Sequence, residues 1–298
     1  MEPEIHFFIG KGGVGKSTTS AIASVHYSNT AQNTLLVSMD PAHNQRDIFG
    51  MDFSEKPKQV TETLAVKEVD TDFWIEKYLK ETQEHIKKSY TYQSAFNLQN
   101  YFNVLQFSPG IEEYALLMAF EDIIHRFEDR DIIVFDMAPT ALTLKFLSLP
   151  LITLVWLKEL LKLRQQIYEK KEIVSKIKIG KKGIEQDKVK AKLETLIDNY
   201  EHLRDHLTAT NTKINLVMNV DKLSFSEAVR IKTKLSDISM HIDRVIINKL
   251  KDGESIDAIT TEFSDQKIRS FPLSENDLSG LEGINAYIDS NMGIFKEG

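Results

Sequence analysis

Residues 10–17 read Gly-Lys-Gly-Gly-Val-Gly-Lys-Ser and satisfy the pattern G-x-x-x-x-G-K-[ST]. No other stretch restricts the fold as much, because this run works only between the end of a strand and the start of a helix. Gly10, Gly12, Gly13 and Gly15 let the backbone turn tightly around a β-phosphate and present its amides without side-chain clash. The helix that follows opens at the phosphates, and its N-terminal dipole adds to the attraction. Lys16 reaches the β- and γ-phosphates, and the Ser17 hydroxyl can coordinate Mg2+. An apolar run at 5–9 precedes the loop, and a helical pattern runs from Lys16 to about residue 28. With both flanks in place, the run reads as a site for ATP, held by Lys16 and by backbone amides that include Val14. An incidental glycine turn would have neither flank.

Further apolar runs at 35–39, 104–107, 132–135, 214–220, 245–247 and 268–271 read as short strands separated by helical stretches. Strands of this composition predict an α/β fold, a P-loop NTPase with a mostly parallel central sheet and helices on both faces. The loop, Asp40 and Asp136 all fall at the C-terminal ends of such strands, where open α/β sheets bind ligands. Two connections are far longer than a crossover helix needs. They predict helical insertions at about 68–103 and 145–211 within a single domain spanning 1–298, the second building a helical lobe above the nucleotide edge.

A formal net charge of −7 argues against a general nucleic-acid-binding role. The chain has no cysteine, which excludes disulfides, a thiolate nucleophile and cysteine-built zinc sites. Its first residues carry neither the basic flank nor the apolar run of a secretory peptide. No stretch of about 18 uncharged apolar residues reads as membrane-spanning. The expectation is a cytoplasmic protein, with room for transient association with a membrane. One segment departs from the acidic average: residues 158–192 hold 12 basic and 5 acidic side chains. A solvated helical face explains that surplus, as would contact with an acidic protein, a membrane surface or nucleic acid.

Within the loop, Lys11 is a second lysine that phosphate binding does not require. It is either solvated or a cation for the phosphates of a neighbouring subunit, where transferring oxygens accumulate charge. Asp136 suits magnesium binding through water. Asp40 suits either orienting the attacking water or supporting the metal. Strand-end capping is the plainer reading of both. Asp47 is a candidate sensor of magnesium or the γ-phosphate, and His43 reads as an ordinary polar loop residue. Trp74, Tyr90, Tyr92, Phe96, Tyr101 and Phe102 have no basic groove around them, so they read as packing aromatics and not as a base-stacking platform.

The chain closely resembles the ArsA/Get3 family of deviant-P-loop ATPases, especially its tail-anchored-protein-targeting branch. The resemblance rests on the loop with Thr18 after it, and on Asp40-Pro41-Ala42-His43-Asn44-Gln45-Arg46-Asp47-Ile48-Phe49, which looks like the first switch. It rests also on Ser108-Pro109-Gly110-Ile111-Glu112-Glu113, and on Asp136-Met137-Ala138-Pro139-Thr140, which looks like the second switch. Asn248 stands in the position resembling the adenine contact, and Pro272 and Leu273 resemble the last nucleotide-contact segment. The resemblance implies a homodimer closing around two ATP molecules, with Lys11 reaching the opposing nucleotide. It implies further that Asp40 positions water, that Asp136 supports Mg2+, and that paired helical lobes form a groove for the apolar helix of a tail-anchored client. A delivery receptor or a membrane-pump component is a further implied partner.

Three departures bear on the branch. The Cys-x-x-Cys zinc pair of many targeting members and the cysteine-bearing metalloid site of arsenite-pump relatives are both impossible here. Ala141-Leu142 and Met137 replace the usual second-switch residues. The lobe holds no methionine between Phe146 and Leu216, although Leu147, Leu149, Leu151, Ile152, Leu154, Val155, Leu157, Leu160 and Leu161 supply apolar surface. An ATPase coupled to an anion or metalloid pump is the alternative, and a partition-type ATPase a more distant one.

Overall fold

The computed structural model describes residues 2–42, 44–89, 108, 110–178 and 188–295. The chain opens with β1 (Glu4–Ile9), α1 (Lys16–Asn29), β2 (Thr34–Ser38), α2 (Asn44–Phe49), β3 (Lys58–Gln59), β4 (Leu64–Glu68) and α3 (Thr71–Ser89). There follow α4 (Ile111–Arg126), β5 (Ile132–Asp136), α5 (Thr140–Lys178), α6 (Lys188–Thr208), β6 (Thr212–Met218) and α7 (Lys222–Asp237). Last come β7 (Arg244–Leu250), α8 (Asp257–Glu262), β8 (Lys267–Pro272), α9 (Gly280–Ser290) and a 3-10 turn, Met292–Phe295. Among the described residues the strands form one sheet in the order β3-β4-β2-β5-β1-β6-β7-β8, and only the β3–β4 pairing is antiparallel. This is the α/β architecture expected, with helices on both faces.

Side-chain alternation along the strands explains the two covered faces. Phe8 of β1 joins Ile22 and Val25 of α1 and Ile284 and Ile288 of α9 in one buried cluster. Phe7 points the other way. Its ring lies 5.2 Å from Phe135, 5.8 Å from Phe120 of α4 and 6.3 Å from Phe146 near the start of α5. A core of this kind on each face leaves the central strands buried throughout, which is why they read as unbroken apolar runs.

The run at 104–107 lies outside the described residues, as do His43 and the aromatics from Tyr90 to Phe102. Strands β3 and β4 were not anticipated. β4 ends Lys67-Glu68, a charged pair that disguises a strand whose five residues are all buried. The Lys67 ammonium is neutralised inside by the Glu55 carboxylate, which also accepts from Trp74 Nε1 at 2.9 Å and from the Asp70 amide at 2.7 Å. Trp74 is a core residue, as read.

The chain divides into two compact units, Met1–Phe146 with Thr210–Gly298, and Leu147–Ala209. In the second, Leu154 and Leu157 of α5 pack on Ile197 of α6, with Leu161, Leu193, Leu196 and Tyr200 around them, and Lys158 pairs with Glu201 at 2.7 Å. The opposite face of α5 is also apolar: Ile152, Val155, Trp156, Leu160, Leu163 and Ile167 are all exposed, Trp156 at 67%. At 3.6 residues per turn those six fall on one side of the helix, facing away from Leu154, Leu157 and Leu161. α5 continues through Pro150 without ending. Over Thr140–Lys170 it is long and apolar enough to cross a membrane by length and composition. The stricter criterion applied to the sequence, an unbroken uncharged run, is not met even here, because Lys145 interrupts it.

Candidate active site

Strand register assembles the site. Phe8 of β1 pairs with Asp136 of β5, and Asp136 in turn pairs with Ser38 of β2. The glycine loop, Asp40 and Asp136 therefore leave three adjacent strands at the same edge. Gly10 (φ 149°) lies so close to β6 that a Cβ there would stand 2.2 Å from the Val217 carbonyl oxygen. Gly15 (φ 92°) caps α1, and a Cβ on it would strike the Asn248 side-chain nitrogen at 2.2 Å. Neither position accepts a side chain.

Lys16 opens α1 and is buried, its ammonium 3.4 Å from the Lys11 carbonyl oxygen. Burial lowers its pKa, and the charges of Asp136 and Asp40 work against that shift. Asp136 is fully buried. Burial pushes its carboxyl up to about 6, partly offset by the Ser17 hydroxyl, the Gln45 amide and the Lys16 charge. Its Oδ2 accepts from Gln45 Nε2 at 2.9 Å, and its Oδ1 has no hydrogen-bond partner. Asp40 is buried too, and its Oδ1 accepts from the Ala42 amide at 3.0 Å. Asn44 of α2 reaches the Ser17 hydroxyl at 3.5 Å. Lys16, Ser17, Asp40 and Asp136 thus form one group, as the sequence suggested.

The remaining candidates divide. Lys11 and Thr18 are half-buried, and Gly12 and Gly13 are exposed at the loop tip. Val14 is buried, and its carbonyl oxygen accepts from Asn248 Nδ2 at 2.8 Å. Asn248 therefore sits against the loop, at a bulge in β7 where Lys249 takes φ 56°. Pro272 accepts from the Tyr287 hydroxyl at 2.8 Å, and Leu273 is exposed after donating its amide to Leu250. Asp47 is exposed on α2.

Two residues escaped the sequence reading. Asn219, just past β6, has its side-chain amide 3.2 Å from the carbonyl oxygens of Val14 and Asn248, and turning that amide over lets its nitrogen donate to both. Its place at a strand's C-terminal end is the signal that marked Asp40 and Asp136. Gln45 has no such signal, because it stands among polar neighbours in a segment that reads as loop, yet it is entirely buried.

The residues present fit a hydrated Mg2+. Among the described residues no group of three or more His, Cys, Asp or Glu could cage a metal alone. Mg2+ bound to phosphates needs only one or two protein oxygens besides its waters. The Ser17 hydroxyl would supply one such oxygen, and the unpartnered Asp136 Oδ1 would hold a metal-bound water.

A glycine loop capping a helix, a buried lysine and strand-end acids on a parallel sheet define a P-loop nucleoside triphosphatase. The profile of the family described as "Anion-transporting ATPase" matches residues 3–290. The chain belongs to that family and is an ATP hydrolase. It is 29% identical over 249 residues to the "Putative arsenical pump-driving ATPase 2" of Aquifex aeolicus, covering 83% of this chain and 80% of that protein. It is 33% identical over 259 residues to the "Putative arsenical pump-driving ATPase" of Prosthecochloris vibrioformis, covering 83% of this chain and 61% of that longer protein. With the "ATPase ASNA1 homolog" of Entamoeba histolytica it shares 28% identity over 305 residues, 94% of this chain and 91% of the relative. The relatives carry both kinds of name, so membership extends to the family and not to the single targeting branch that the motifs suggested.

Proposed function

We propose that this ATPase is magnesium-dependent, acts as a homodimer, and couples ATP binding and hydrolysis to capture and release of the apolar helix of a tail-anchored membrane protein. The observation that carries this reading is the second apolar face of α5, exposed from Ile152 to Ile167 and not needed for the packing of α5 on α6. Burying such a face against a client helix removes apolar surface from water, at about 1.5–3 kcal/mol per large side chain fully covered. In the cell such a protein would work in the cytoplasm and meet a membrane only to deliver its client.

In this reading the loop amides and Lys16 hold the β- and γ-phosphates, Lys11 reaches the nucleotide of the partner subunit, and Asp40 orients the attacking water. Ser17 and Asp136 hold Mg2+, which neutralises phosphate charge when bound. Asn248, Pro272 and Leu273 border the base. α5 begins four residues after Asp136, so a change at the metal acts at the root of the helix that carries the apolar face.

Co-expression with a tail-anchored protein tests the proposal. A soluble complex that crosslinks through the tail helix is expected, and it should weaken when Val155, Trp156 and Leu160 become polar. A second reading, an ATPase driving a membrane pump, draws on the names of the Aquifex and Prosthecochloris relatives. Specific retention of a pump component, with no tail helix captured in any nucleotide state, would replace the first reading with the second.

A further inference from the structure

Gln45 lies in the first turn of α2 and has no exposed surface. Its Nε2 faces three acceptors: Asp136 Oδ2 at 2.9 Å, the Ser17 carbonyl oxygen at 3.2 Å and the Ser20 hydroxyl at 3.4 Å. These belong to β5 and α1, so one amide joins α2 to both elements that carry the proposed metal groups. The bond to Asp136 is the short one and is charge-assisted, which makes it the strongest of the three. Arg46 and Asp47, the next two residues, are exposed. Of the polar side chains on α2, Asn44 reaches the Ser17 hydroxyl and Gln45 reaches Asp136.

We propose that Gln45 is a positioning residue for the magnesium site, holding the Asp136 carboxylate in one orientation and tying the place of α2 to it. The proposal rests on the reading of Ser17 and Asp136 as the Mg2+ groups. With Oδ2 engaged by Gln45, the carboxylate cannot swing, and Oδ1 is the oxygen left for a metal-bound water. Outer partners of this kind set metal affinity by fixing the ligand before the metal arrives. The tie runs both ways. Whatever moves the carboxylate pulls on Gln45 and hence on α2, the helix that follows the Asp40 loop.

The test compares wild type with Gln45→Leu, which keeps the bulk and removes the amide. Nucleotide binding is followed by calorimetry in EDTA and then across a Mg2+ titration, and hydrogen exchange is read over α2. ATP binding in EDTA should be unchanged, half-saturating Mg2+ should rise about tenfold, and α2 amides should exchange faster. Gln45→Met serves if the leucine variant does not fold. Ser20→Ala removes one acceptor of the amide and leaves Asp136 untouched, so its Mg2+ profile should match wild type. A Gln45 variant that melts earlier yet titrates with Mg2+ like wild type would overturn the proposal and leave Gln45 a packing residue. A wild-type protein indifferent to Mg2+ would instead remove the magnesium reading beneath it.

Discussion

At the scale of single residues, the phosphate loop is built by exclusion. Gly10 and Gly15 are fixed by the Val217 carbonyl and the Asn248 amide, which leave no room for a Cβ. Lys16 is held beside two carboxylates whose charge keeps a buried ammonium tolerable. Lys16→Ala should lower phosphate release by about 100-fold or more while circular dichroism stays native, and an active variant would remove Lys16 from the chemistry. His6 offers a separate test in the core. It is buried on β1, its Nε2 lies 3.1 Å from Glu4 and its ring 5.2 Å from Tyr27. Burial lowers its pKa below the ordinary 6.5, against the pull of Glu4. The unfolded chain then takes up a proton that the folded one refuses, so this contribution is full above 6.5 and is lost as the pH falls through it. Asp136 has the opposite sign: with a carboxyl raised to about 6, the folded protein takes up the proton first and gains stability on acidification. Urea unfolding at about pH 8 and about pH 5.5 should therefore show His6→Gln losing less stability on acidification than wild type. Parallel losses would show that His6 is not the group responsible. The motif residues were legible because their chemistry needs fixed types at fixed spacing. Gln45 was not, because its role depends on burial that no local pattern encodes.

At the scale of elements, apolar runs located the central strands to within a residue or two, since a strand covered on both faces has to be apolar throughout. β4 was hidden by Lys67 and Glu68; the Lys67 charge is accommodated by Glu55, which lies 12 residues away in the chain. α5 was legible as apolar but not as one helix, because its apolar stretch gives way to the basic run that begins at Lys158. Its two faces could not be told apart by composition, since both are lined by large apolar side chains. They make different predictions. Leu157→Ala, on the face packed against α6, should cost about 2–5 kcal/mol in the stability of the helical unit. Trp156→Gln, on the exposed face, should leave stability within about 0.5 kcal/mol and weaken only client capture. A Trp156 variant as destabilised as the Leu157 variant would mean that the exposed face is part of the core.

At the scale of the whole molecule, the proposed mechanism joins two sites, a nucleotide edge and an apolar helix face, through a chain that runs from Asp136 into α5. Coupling of this kind is reciprocal: a nucleotide that favours the helix-binding form is itself bound more tightly when a helix is present. Light scattering should detect homodimers in the presence of a non-hydrolysable ATP analogue, and Lys11→Ala should impair hydrolysis more than first binding of ATP. A monomer that is fully active would remove the cross-subunit role of Lys11. The most direct test of the central claim is the affinity of that analogue, with Mg2+, measured with and without a saturating tail-helix peptide. Coupling in the usual range of about 5–150-fold predicts tighter analogue binding when the peptide is present, by the same factor by which the analogue tightens the peptide. Equal analogue affinities with and without a peptide that is demonstrably bound would contradict the account.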